Sequence, residues 1–204
     1  MILGPHKDNE KRLLETAADQ EGYFTAKQAL EAGYSYRLQH YHKTKGHWIE
    51  AGRGIYRLAA YPHSTYEDLI RWCLWSVNRK GMPQAIISHD TALAVYELSD
   101  LMPSKIHLTV PPLFRKDAEK KIILHRGVVP PGDVRKRQGF LITTPLRTIY
   151  DEAEGDLSLD HLDQAIRDGL KAGKFLRKDL ENPHLSAPAR EKIKMILDSI
   201  EQAK

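Results

Sequence analysis

Apolar residues in the first stretch recur at helical spacing. Leu13, Leu14, Ala17 and Ala18 stand among charged residues between Asn9 and Ala18, which predicts an amphipathic helix that Gly22 stops. Tyr23 and Phe24 form a short extended pair, after which Thr25 caps a second helix with Ala29 and Leu30 inward and Gly33 at its end. Ser35 opens a third helix from Tyr36 to about Lys45, closed by Gly46. Setting Leu38 and Tyr41 toward the core turns Tyr36, His40 and Lys43 outward, with Arg37 and Gln39 on the flanks. Trp48 and Ile49 lead into a Gly-rich turn over 50–54, and Ile55 to Leu58 lead out of it, a hairpin signal. Three helices and a hairpin, with a Gly-containing turn between the second and third helices, is the order of a winged helix-turn-helix.

The pattern then changes. Residues 59–63 read as a connector, and Ser64 with Glu67 forms a capping-box pattern for a helix reaching about Arg79. Leu69, Ile70, Cys73, Leu74 and Val77 supply its buried face; Trp72 and Trp75 join that core or face the first domain. A short strand is expected over 85–87, then a helix capped by Ser88 and running through Leu98. Strict alternation from Lys105 to Val110 puts Ile106, Leu108 and Val110 on one face and His107 and Thr109 on the other. Further strands are expected over 121–125 and 140–143, the latter followed by a helix with Thr144 as cap and Pro145 in its first turn. Two more apolar series, Leu159 to Leu170 and Ile193 to Ile200, predict closing helices. The fold class is α+β: a winged helix-turn-helix over residues 1–62, then a mixed α/β domain with C-terminal helices over 63–204.

Composition adds limits. Hydrophobic residues make up 41% and charged residues 28% of 204, the balance of a folded globular chain. The single cysteine, Cys73, excludes an intramolecular disulfide and a Cys-based zinc cluster, and its neighbours Trp72 and Leu74 mark it as a core residue. With no signal-peptide pattern at the N-terminus and no apolar run of membrane-spanning length, a cytoplasmic protein without membrane contact is expected. The net charge of +4 has the sign that favours a polyanionic partner.

The position of that charge matters more than its size. Between Glu31 and Glu50 there is no carboxylate, while Arg37, Lys43 and Lys45 are basic. This stretch contains the helix that a helix-turn-helix sends into the major groove of double-stranded DNA, where Arg pairs with guanine and Gln with adenine. Ser35, Tyr36, Arg37, Gln39, His40, Lys43 and Lys45, with Arg53 at the hairpin tip, are the candidate DNA-binding residues. His40 and His42 point to different sides of a helix, so no metal site is assigned, and no cofactor is implied.

A second basic zone runs from Arg115 to Arg147, where nine cations face three carboxylates. Arg115, Lys116, Lys120, Lys121, Arg135, Lys136 and Arg137 are either a second polyanion surface or solvated loops. Ser88, His89 and Asp90 are consecutive at a helix start and cannot converge on one substrate atom as nucleophile, base and orienting acid. Capping accounts for Ser88 and Asp90; His89 has no assigned role. Arg147 and Asp151 stand four apart on one helix, as a structural ion pair would.

The order of these blocks resembles the AbiEi-type antitoxins of type IV toxin-antitoxin systems. The resemblance is carried by Gly33 and by Arg53-Gly54-Ile55-Tyr56-Arg57. It continues through residues 87–93, residues 106–111, and the block from Thr143 through Pro145 and Arg147 to Asp151, so that it runs roughly from Asn9 to Leu180. It implies a repressor of its own operon, reading inverted repeats at the promoter through the N-terminal domain. It also implies a functional partner, a nucleotidyltransferase-like toxin, neutralised without need of a stable complex. Some relatives append a nuclease after the Pro-x-Arg-Thr block, but residues beyond Asp151 show helical periodicity and no acidic-Lys strand. The chain is therefore expected not to be an enzyme. The alternatives are a plain repressor with a sensor domain and a nucleic-acid-processing enzyme, the latter lacking a Walker, zincin or nucleotidyltransferase constellation.

Overall fold

A computed structural model describes residues 5–202. Residues 1–4 of the N-terminal segment read for a leader lie outside the described residues. Among the described residues there are eight α-helices and two sheets, a mixed α+β chain. No described helix is long and apolar enough to cross a membrane.

The chain divides into two compact units. The first runs to Ala85 and takes in residues 136–141; the second comprises residues 86–135 and those from 142 onward. The stretch 1–62, expected to be a winged helix-turn-helix, lies within the first unit.

In the first unit the order is α1 (Pro5–Ala18), β1 (Tyr23–Thr25), α2 (Ala26–Glu31), α3 (Tyr36–Thr44), β2 (Trp48–Gly52), β3 (Ile55–Leu58) and α4 (Glu67–Trp75). The strands form an antiparallel sheet in the order β1-β3-β2. Leu13 and Ala17 of α1, Phe24, Ala29, Tyr34 and Trp48 make its core, with Phe24 edge-on to Trp48 at 4.8 Å. Thr25 caps α2 through a full capping box with Gln28. Gly33, at φ +96°, makes the turn into α3, and a Cβ there would meet the Asn9 side chain at 2.5 Å.

The helix expected from Ser64 to Arg79 is shorter. The Ser64 hydroxyl accepts from the Tyr66 amide at 3.1 Å instead of capping a helix, and the Glu67 carboxylate accepts from the Tyr23 hydroxyl at 3.0 Å. At the other end the fully buried Ser76 hydroxyl donates to Cys73 O and accepts from the amides of Gln84 and Ala85, turning the chain back. Cys73 is buried, and burial pushes its thiol up to about 11.

Beyond α4 come β4 (Ile86–Ile87), α5 (His89–Tyr96), β5 (Ile106–Val110), β6 (Ile122–Arg126), β7 (Val134–Arg137), β8 (Phe140–Thr143), α6 (Pro145–Glu154), α7 (Leu159–Lys171) and α8 (Ala187–Gln202). The five strands lie in the order β6-β5-β4-β8-β7, with β5 parallel to β6 and β4 parallel to β8. Thr144 caps α6 with Pro145 in its first turn, as the sequence predicts. The main core of the second unit joins Leu93 and Leu98 to Ile149, Leu162, Ile166, Ile193 and Leu197 of the closing helices.

The alternation in β5 does not mark a half-exposed strand, because Thr109 is buried along with its neighbours Leu108 and Val110. Thr109 donates to the Ser88 hydroxyl at 2.8 Å, and the Thr91 hydroxyl accepts from the His107 amide at 2.8 Å. Ser88 precedes α5 as expected but makes no side-chain cap, since its hydroxyl serves Thr109 and His89.

Gly169, buried in α7, lets the Phe175 ring lie against the helix backbone; a Cβ would sit 2.2 Å from that ring. Gly169→Ala is expected to cost about 1–3 kcal/mol through overpacking, despite the better helix propensity of Ala. A urea unfolding curve with a lowered midpoint and unchanged slope checks this.

Candidate nucleic-acid interface

The start of α3 is fixed by Ser35, whose hydroxyl accepts from the Leu38 amide. Its rotation is fixed by Gln39. Only 3% exposed, Gln39 donates from its amide nitrogen to Tyr34 O at 2.9 Å and Ala26 O at 3.1 Å, tying α3 to the end of the turn and to α2. Leu38 and His42 lie half-buried beside it, and His42 stacks on Trp48 at 4.9 Å.

This corrects two expectations. Gln39 is held inside by backbone carbonyls and does not present its amide to a partner. Tyr41 is not a core residue; it is 49% exposed. The outward face consists of Tyr36, Arg37, His40, Tyr41, Lys43 and Thr44, followed by Lys45. Four of the residues expected there, Tyr36, Arg37, His40 and Lys43, are exposed, and Tyr36 is 70% so.

The hairpin turn is tighter than residues 50–54. Glu50 to Gly52 belong to β2, leaving Arg53 and Gly54 as the turn, with Gly54 at φ +69° and a bulge between Glu50 and Gly52. Arg53 is exposed at the tip. Lys43 Nζ lies 2.6 Å from Glu50 Oε2, and this contact raises the Lys43 pKa. The carboxylate thus comes from the hairpin and stands on the face that the acid-free stretch had reserved for cations.

Arg57, part of the resemblance motif, is buried and not part of this face: it donates to Tyr61 O and lies 3.4 Å from His63. His42 and His47 bring their Nδ1 atoms within 3.1 Å of each other, a pairing across five residues that helix geometry alone does not reveal. Among the described residues no group of three or more His, Cys, Asp or Glu is arranged to hold a metal ion.

The second basic zone does not form one run in space. Arg115, Lys116, Lys120 and Lys121 occupy the β5–β6 connection, whereas Arg135, Lys136 and Arg137 lie in β7, and β6 and β7 are the opposite edges of the sheet. Several cations already have partners: Lys121 pairs with Glu119 at 3.7 Å, Lys136 with Asp19 at 3.5 Å, and Arg137 sits over the Tyr66 ring at 5.2 Å. Arg147 bonds Asp151 at 2.7 Å and also reaches Asp133 at 3.4 Å, so the helical pair is part of a three-residue network.

Residues 11–59 match a family model described as transcriptional regulator, AbiEi antitoxin. That segment spans most of α1 through β3 and contains α3 and the hairpin; the later blocks of the resemblance lie outside it. The crystal structure of the RV2827C protein from Mycobacterium tuberculosis aligns with a TM-score of 0.52 and 17% identity, covering 94% of this chain and 76% of that one. At that identity the likeness is one of fold. A search of curated proteins finds no match.

Replacing Gln39 by Leu leaves the carbonyls of Ala26 and Tyr34 without its amide. A loss of about 1–3 kcal/mol in unfolding free energy is expected, measured by urea denaturation.

Proposed function

We propose that the chain is a DNA-binding transcriptional regulator and antitoxin that represses its own promoter at inverted repeats and counteracts a nucleotidyltransferase-like toxin. In this reading the first unit is a winged helix-turn-helix, α3 is its recognition helix, and the β2–β3 hairpin is its wing. Ser35, at the helix start, contacts a phosphate; Tyr36, Arg37 and His40 face base edges; Lys43, Lys45 and Arg53 contact phosphates. No catalytic role is assigned.

The observation that carries the reading is the outward face of α3. Its Arg, Lys, His and Tyr side chains are exposed on the one helix whose sequence neighbourhood has no acid, within the segment that matches a transcriptional-regulator family. The antitoxin part rests on the same family match and on the resemblance of the later blocks. A sensor-domain repressor is the second reading, favoured by an open groove of about 470 Å³ in the second unit lined by Leu180, Ile193 and Leu197 together with charged residues such as Arg177, Arg190 and Asp198.

Promoter binding is expected to weaken as salt rises, with a slope of about −0.9 in log affinity against log salt for each phosphate neutralised. The double substitution Arg37→Ala and Lys43→Ala should weaken promoter binding roughly tenfold or more and flatten that slope. Titration by fluorescence anisotropy at two salt concentrations checks both; an unchanged affinity removes α3 from the interface. In this reading the second unit, which carries the later blocks of the resemblance, neutralises the toxin, so the same variant, if folded, should still rescue cells that express it.

Glu50→Gln gives an opposite expectation. It releases Lys43 from its 2.6 Å partner and removes a negative charge from the DNA-facing side, so promoter affinity should rise several-fold with a steeper salt dependence. A fall in affinity would show that Glu50 is needed to position Lys43.

A further inference from the structure

His89, His107 and His125 come from three elements of the second unit and meet. His89 is the first residue of α5 and adopts φ +51°, a left-handed conformation uncommon for a residue with a side chain. Its ring stacks on His125 of β6 with centroids 3.5 Å apart and planes at 10°. His125 Nε2 lies 3.1 Å from His107 Nδ1 on β5, and His107 Nε2 lies 3.6 Å from the Asp90 carboxylate of α5. The His89 Nδ1 is 2.9 Å from the Ser88 hydroxyl.

The groups around these rings offer little negative charge. On α5 only Asp90 faces them. From α6, Glu152 is hydrogen-bonded to Asp90, and burial, reinforced by Asp90 and Asp151, pushes its pKa to about 9, so it is protonated and neutral at physiological pH. Arg147, also on α6, acts on His89 as a like charge and is itself engaged by Asp133 and Asp151. Lys105, next to β5, acts on His107 in the same sense. Burial, the neighbouring imidazoles and Arg147 hold His89 down to about 3; burial also lowers His107 and His125, with Asp90 partly offsetting it in both.

Such a cluster accepts one proton and resists the next. A first proton on His107 is balanced by Asp90. With a second on His125, two N–H groups point at each other across 3.1 Å, and a proton on His89 as well as His125 stacks two cations face to face at 3.5 Å. We propose that His89, His107 and His125 form an acid-operated latch between the start of α5 and the β5–β6 edge of the sheet, closed with at most one proton bound and opened by a second. Opening frees the first turn of α5 from β6, a strand held in the sheet by β5 alone.

The sign follows from linkage. Each ring whose pKa in the closed state lies below the ordinary 6.5 binds its proton better when open, so closure is fully favoured above about pH 6.5 and weakens as pH falls.

The test is a titration of the full chain from pH 7.5 to 4.5, following histidine ring resonances by NMR and backbone amide exchange corrected for its intrinsic pH dependence. The expected result is that His89 and His125 stay neutral below the ordinary imidazole range and then protonate together as the pH falls. Amides of Ile122–Arg126 and of the first turn of α5 should then lose protection at least tenfold while those of α7 and α8 keep it. His89→Asn, which tolerates the left-handed backbone and cannot titrate, should hold β6 protection at pH 5; His125→Phe, which keeps a stacking ring, should do the same. Independent titration of all three rings near 6.5 would overturn the latch. So would unchanged β6 exchange in the wild-type chain, or equal loss in wild type and in both variants.

Discussion

The first unit depends on a buried amide. An α3 placed by apolar spacing alone would bury Leu38 and Tyr41; the helix is instead turned so that Gln39 reaches the carbonyls of Tyr34 and Ala26. Those carbonyls sit at the turn and at the start of α2, and an unpaired buried carbonyl costs about 1–3 kcal/mol. One side chain therefore joins the two helices and sets the angle from which everything else on α3 is viewed. Tyr41 is displaced outward and His42 inward onto Trp48, and the outer face becomes more aromatic than its hydrophobic pattern suggests.

The second unit uses the same principle more widely. Where β5 and β8 meet α5 and α6, the contacts are hydroxyls: Thr109 on Ser88, Thr91 on the His107 amide, and Thr143 on Thr148 at 2.7 Å, with the Tyr96 hydroxyl donating to Thr143 O at 2.8 Å. Polar interiors of this kind demand complete pairing, since each unpaired member is penalised in a low dielectric. They also fix register and helix rotation more narrowly than aliphatic packing. His89 with its left-handed backbone and the uncharged Glu152 are sited within this layer, so proton affinity and packing are linked there.

These features divide what the sequence discloses from what it withholds. The helices around Ser35, Thr25 and Thr144 are legible because their caps are local: a hydroxyl and an amide three residues apart decide the start. Ser64 and Ser88 carry the same local pattern and do not cap, because Tyr66 in one case and Thr109 with His89 in the other take the hydroxyl. The exposed face of α3 is legible through its missing acids. The inward turn of Gln39 is not, since it depends on carbonyls five and thirteen residues away. The basic run from Arg115 to Arg137 reads as one zone along the chain, and strand order divides it between opposite sheet edges. The three-histidine cluster leaves no signal in spacing, because its members lie on three elements at residues 89, 107 and 125.

The charge available on the α3 face also bears on how a DNA complex would be assembled. Arg37, Lys43, Lys45 and Arg53 are its four cations, and Lys43 is occupied by Glu50. Three cationic phosphate contacts, from Lys43, Lys45 and Arg53, give a salt slope of only about −2.7, shallow beside proteins that make six to ten. On the proposed reading, a single copy would therefore hold promoter DNA weakly, and weak non-specific attraction is what allows base-edge contacts from Tyr36, Arg37 and His40 to decide the site. Two copies on the two arms of an inverted repeat double both the phosphate contacts and the sequence read. Glu50 fits the same logic: on the proposed reading, a carboxylate beside Lys43 would lower affinity for any duplex by a similar amount and leave the difference between right and wrong sequences to the rest of the helix.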